Sequence, residues 1–137
     1  MIRYLRVLGA AAACCLATTY CGEPTALHLP TAGWLEVRLS ARDPVGIVRL
    51  SLRGGPIDSI VGVPGTAVLA GQASGAIAPL IVVGDLRNGT VACVGVQDVF
   101  VGYTATVEEA ASSIDYSLVS PADLVVSVVR ASPTGCP

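Results

Sequence analysis

The sequence predicts an all-β chain, an antiparallel two-sheet sandwich of jelly-roll type with about eight or nine short strands. Three observations carry this reading. Apolar and polar residues alternate with a period of two in several stretches, and turn signals drawn from 15 glycines and 9 prolines recur at close spacing. Helical periodicity is almost absent. A closed barrel is the second architecture that the same signals allow.

Taken in order, the fold is expected to begin near Trp34. Leu35, Val37 and Leu39 alternate with Glu36, Arg38 and Ser40, so one strand face is buried and the other wet. Asp43-Pro44-Val45-Gly46 reads as a turn, and Val48, Leu50 and Leu52 then alternate with Arg49, Ser51 and Arg53. Two neighbouring strands with polar outer faces predict an antiparallel hairpin. Gly54-Gly55-Pro56 breaks the chain, residues 59–63 form a short apolar strand, and Pro64-Gly65 turns it.

Residues 67–70 and 77–83 read as strands, with Gly71-Gln72-Ala73-Ser74-Gly75 as the loop between them. The apolar stretch 61–84 is interrupted by Pro64, Gln72, Pro79 and several glycines, which argues against a membrane-spanning helix. Asn88-Gly89 is a favourable hairpin turn because both residues tolerate positive φ. Residues 91–96 have no polar face, which marks a central strand covered on both sides or an edge strand beneath a loop. Tyr103, Ala105 and Val107 alternate with Thr104, Thr106 and Glu108 as another half-buried strand, and residues 108–113 are the one stretch suited to a helical turn. Residues 116–119 and 124–129 close the domain on either side of a Ser120-Pro121-Ala122-Asp123 turn.

Ahead of this domain the chain has the layout of an export signal. Arg3 and Arg6 give a positive start, residues 5–17 are apolar apart from Arg6, and Thr18 and Thr19 follow. The apolar run is shorter than the ~20 residues that cross a bilayer. The organisation expected is a signal over 1–20, a tether over 21–33, a sandwich over 34–130 and a tail over 131–137. Cys21, followed by Gly22, Glu23 and Pro24, is the first candidate for lipidation, although Thr18-Thr19-Tyr20 lacks the usual residues before such a cysteine. Cys14, after three alanines, ranks second, and ordinary cleavage that releases a soluble protein is the third reading. The expected location is therefore the cell envelope, lipid-anchored, or the exterior of a bacterium.

Composition narrows the function. The formal charge is −2, and loss of the signal removes Arg3 and Arg6 but no acidic residue. No basic run interleaved with aromatics exists, so a phosphate-backbone footprint is missing and no nucleic-acid partner is expected. Cys93 and Cys136 remain as an even pair and are candidates for a disulfide in an oxidising compartment. The alternative is a buried Cys93 and a free thiol at Cys136.

The run Trp34-Leu35-Glu36-Val37-Arg38-Leu39, then Gly54-Gly55-Pro56-Ile57-Asp58-Ser59, the Asn88-Gly89 turn and Tyr103-Thr104-Ala105-Thr106-Val107 resemble small uncharacterised bacterial lipoproteins. Their sandwich is similar to that of cohesin and carbohydrate-binding modules. The resemblance covers nearly all of the mature chain and implies a nine-stranded jelly roll with a non-enzymatic role. Its motifs are structural, and a sandwich hosts many functions.

The sequence carries no catalytic constellation, no metal-ligand spacing and no cofactor motif. The single histidine, His28, falls in the tether, away from any nucleophile and acid that would complete a hydrolase triad, and reads as a solvated linker residue. In Gly71-Gln72-Ala73-Ser74-Gly75 the serine stands one place late for a nucleophile elbow, and no helix follows. Asp43, Asp58, Asp85, Asp98, Asp115 and Asp123 all fall near strand ends, where side-chain to backbone hydrogen bonds in turns explain them better than calcium does. Asn88-Gly89-Thr90 matches a glycosylation acceptor but is explained by the hairpin. Tyr103 and Tyr116 are placed in the core, while Trp34 and Phe100 lie at strand margins as candidate ligand-contact aromatics. The expected role is a non-catalytic binding or support module with a protein partner, or alternatively a glycan.

Overall fold

The computed structural model describes residues 28–72, 74 and 76–137. The export signal and its candidate cysteines, Cys14 and Cys21, lie outside the described residues. Seven strands form the domain: β1 (Gly33–Arg53), β2 (Ile57–Gly62), β3 (Thr66–Ala70), β4 (Ile77–Val96), β5 (Thr104–Ser112), β6 (Leu118–Val119) and β7 (Leu124–Arg130). All named pairings are antiparallel. The described residues are all-β, as the period of two requires.

Two long strands organise everything else. β1 and β4 pair along nearly their whole length, from Gly33 opposite Val96 to Arg53 opposite Ile77. The register slips where Ser40 to Val45 of β1 meets Asn88 to Leu86 of β4. A crease runs across the sheet at that level. On one side of it, β2 and β7 flank the pair to give the order β2-β4-β1-β7. On the other side, β3, β5 and β6 complete the order β3-β4-β1-β5-β6. The sheet is therefore one open, creased sheet whose two halves act as the two layers of a sandwich. Leu35, Val37 and Leu39 from the first layer meet Val48, Leu50, Leu52, Leu80 and Val82 from the second in a single buried core.

Two hairpins expected from the sequence do not form, for one physical reason. Asp43-Pro44-Val45-Gly46 and Asn88-Gly89 are turn formers, but each lies inside a long strand, opposite the other strand's slip. Asn88 Oδ1 accepts hydrogen bonds from Ser40 Oγ at 2.9 Å and from the Ala41 backbone N–H at 3.2 Å. The side chain thus satisfies a donor that the slipped register leaves without a ladder partner. Nine expected strands become seven because two pairs of them are continuous.

The helical turn expected over 108–113 is also absent, since β5 runs on to Ser112. Arg49 pairs with Glu109 and Leu50 with Val107, which leaves Glu108 as the extra residue of a bulge. The bulge breaks the alternation, and the break reads as loss of strand periodicity. Arg49 reaches both carboxylates, Glu108 at 3.1 Å and Glu109 at 3.4 Å.

Residues 91–96 are buried on both faces, as their lack of a polar side predicts. Ala92, Val94 and Val96 face the core, and Cys93 faces outward beneath the tail that follows β7. Tyr116, expected in the core, is instead 81% exposed and adopts a positive φ of 59° in the turn before β6. The apolar periodicity there is too short to define a face.

Candidate functional site

The feature with the most chemistry is a groove at the end of the first layer farthest from the crease, where β1 begins and β7 ends. The loop between β4 and β5 forms one side. Asp98 anchors that loop, for its Oδ1 accepts the Phe100 N–H at 3.0 Å and the Thr31 N–H at 3.4 Å. Its Oδ2 accepts from His28 Nε2 at 2.7 Å. The Phe100 N–H first, then the Thr31 N–H and His28, hold the Asp98 carboxyl below the usual aspartate range, against the opposing effect of burial. This is the turn chemistry expected of the strand-end aspartates. Val99 N–H donating to Thr31 O at 2.9 Å ties the same loop to the start of β1.

His28 is solvated as a tether residue should be, its side chain 54% exposed, but it also has a partner on the domain. A 2.7 Å hydrogen bond to Asp98 docks it on the domain, and its ring meets Phe100 edge-on at 5.2 Å between centroids. The sequence places it ahead of the first strand, and nothing in its spacing announces a partner 70 residues away.

Phe100 is 58% exposed, and the Arg130 guanidinium lies over its ring with Cζ 4.4 Å from the centroid. Thr31, Trp34, Phe100, Arg130, Ser132 and Pro137 line a groove of about 350 Å³. The two aromatics singled out from the sequence therefore share one site, Phe100 exposed and Trp34 half-buried.

The opposite wall is the tail after β7. Ala131 N–H donates to Trp34 O at 3.0 Å. Further along, Cys136 is bonded to Cys93 with Cα atoms 5.8 Å apart, a span a disulfide needs. Between these two attachments the tail covers Glu36, which is 2% exposed. Glu36 Oε2 accepts from Arg38 Nε at 2.8 Å and Thr90 Oγ1 at 3.0 Å, and Oε1 accepts from the Ser132 N–H at 3.2 Å. The Arg38 hydrogen bond, followed by those from Ser132 and Thr90, holds the Glu36 carboxyl below its ordinary range although burial opposes this. A Cβ on Gly135 would collide with Glu36 Oε1, so glycine is required for the tail to close so tightly.

Elsewhere the aspartates serve their loops. Asp115 accepts from Ser117 N at 3.2 Å and Oγ at 2.8 Å, Asp58 accepts from Gln97 Nε2 at 3.0 Å, and Asp85 pairs with Arg87 at 3.1 Å. Asp43, Asp115 and Asp123 line a second hollow of about 360 Å³ beside the crease. Among the described residues no group of three His, Cys, Asp or Glu side chains is placed to hold a metal ion. Tyr103 is half-buried with its hydroxyl donating to Pro56 O at 3.0 Å. Burial, with smaller contributions from the charges of Asp98 and Asp58, pushes that phenol above its usual range.

Sequence reasoning missed Glu36 and Arg130. Glu36 alternates with Leu35 and Val37 as a wet-face residue should, and the tail together with Arg38 and Thr90 makes it buried. Arg130 ends a strand and carries no local signal. A Cys93–Cys136 link is the one sequence feature that leads to either, because it folds the tail across the outward side of β4 and β1. Comparison with protein-family descriptions, curated proteins and solved structures returns no match.

Proposed function

We propose that this chain is a non-catalytic, exported β-sandwich, an envelope lipoprotein through Cys21 or a secreted domain, that serves by docking a protein partner. One observation carries the docking role, the apolar outer face of the second layer. Cross-strand partners share a face, and Leu69, Ile81 and Arg49 form one row while Ala67, Val83, Ile47 and Ala111 form the next. Leu69 is 64% exposed, and Ile47, Ile77 and Val83 are also open to solvent. A contiguous apolar surface on a two-layer domain has a cost in water that a partner removes. Arg49 with Glu108 and Glu109 gives this surface a polar rim, as protein interfaces have.

The test is site-specific photo-cross-linking in the exporting cell, with the photoreactive residue at position 69. A discrete protein adduct that Val83→Asp abolishes, with the melting temperature unchanged, supports the reading. Adducts no more frequent than from an exposed control at Thr134 would sink it. A second reading, a carbohydrate-binding module, is favoured by the shared groove of Trp34 and Phe100 on the first layer, since aromatic walls suit the apolar faces of sugar rings.

A further inference from the structure

We infer that the groove between Trp34 and Phe100 is a binding site for an acidic sugar, with Arg130 receiving its carboxylate. This deepens the sugar reading and rests on it, while remaining independent of the apolar face on the other layer.

The argument starts from Arg130. Arg38, Arg49 and Arg87 each pair with a carboxylate. Among the described residues Arg42, Arg53 and Arg130 form no ion pair, and of these three Arg130 is the one that lines the groove and lies over an aromatic ring. Its Cζ lies 4.4 Å from the Phe100 ring centroid, a cation–π contact that holds the charge beside the groove Arg130 lines without consuming a hydrogen-bond acceptor. A cation positioned in this way, in a chain of formal charge −2, selects an anion, and the planar fork matches a carboxylate.

The rest of the wall sets the other half of the ligand. The Trp34 ring lies over Gly95, where an added Cβ would fall 3.4 Å from Cζ3, so the absence of a side chain there lets the indole lie against the strand. Trp34 lines the groove together with the tail residues Pro133 and Pro137. A pyranose presents an apolar C–H face to such a ring and, when it is a uronic acid, a carboxylate at its edge. An extended peptide fits less well, because the backbone acceptors at this end of β1 are taken. Trp34 O is occupied by Ala131 N–H and Thr31 O by Val99 N–H. Those two carbonyls are therefore closed to main-chain pairing by a strand laid along the start of β1.

The chain's single tryptophan is Trp34, so its fluorescence reports the groove alone. The purified chain is titrated with tri-galacturonate and with the neutral galactose trimer of the same linkage. The expected result is a saturable change with both, the acid binding roughly tenfold more tightly at low salt, as one charge-assisted pair supplies. Arg130→Gln should erase the preference and keep the neutral binding. Phe100→Leu, which keeps the guanidinium but removes its platform, should reduce the preference. Equal affinity for the two trimers, or a preference that survives Arg130→Gln, overturns the carboxylate assignment while leaving the sugar reading intact. No change with either trimer overturns both.

Discussion

Glu36 shows how a polar residue on a strand's outer face becomes a structural group. Its carboxylate is buried, and four donors converge on it from Arg38, Thr90 and Ser132. Replacing it by glutamine keeps the shape and removes the charge, which weakens each of these bonds. Glu36→Gln is expected to lose about 1–3 kcal/mol, the cost of poorly satisfied buried polar groups, in urea unfolding at neutral pH. The pH dependence follows from the depressed carboxyl. Its stabilisation is fully present above the ordinary glutamate value of 4.5 and is lost as pH falls through the lower folded value. The loss of stability between pH 5 and pH 3 should therefore be shallower in the variant than in the parent. Parallel slopes would show that Glu36 is not held as an anion.

The crease is a property of elements, made by register slips in β1 and β4 at the same level. Asn88 supports it through Ser40 Oγ and the Ala41 N–H. Asn88→Ala leaves that N–H to water at an exposed site, so a loss of about 1 kcal/mol is expected. Faster amide exchange at Ala41, with the core strands unchanged, is the specific readout. Unaltered exchange there would place the support of the crease elsewhere. The strands themselves were legible because inward and outward residues alternate, from Leu35 to Leu39 and from Val48 to Leu52. Their continuity was not. A turn-forming segment such as Asp43 to Gly46 looks the same whether it reverses a chain or bends it, and only the partner strand decides. The groove was legible in part, through Trp34 and Phe100 at strand margins. Arg130 and His28 depend on contacts across the whole chain, which no local pattern carries.

At the scale of the molecule, the tail converts an open sheet into a domain with a covered outer face and a walled groove. It is held by the Cys93–Cys136 bond, by Ala131 on Trp34 and by Ser132 on Glu36. The bond closes a loop with a sequence separation of 43, for which the chain-entropy account gives about 4 kcal/mol. The core residues lie between the layers, on the other side of β1 and β4 from the tail. Cys136→Ser should therefore lower stability by up to that amount while leaving the strand signal in circular dichroism intact. Trp34, freed from one wall, should shift its emission to the red, and acidic-sugar binding in the groove should weaken with it. A reduced chain whose Trp34 emission and tail exchange match the oxidised one would mean that Glu36 and Ala131 suffice to hold the tail. The disulfide would then act on the unfolded chain alone.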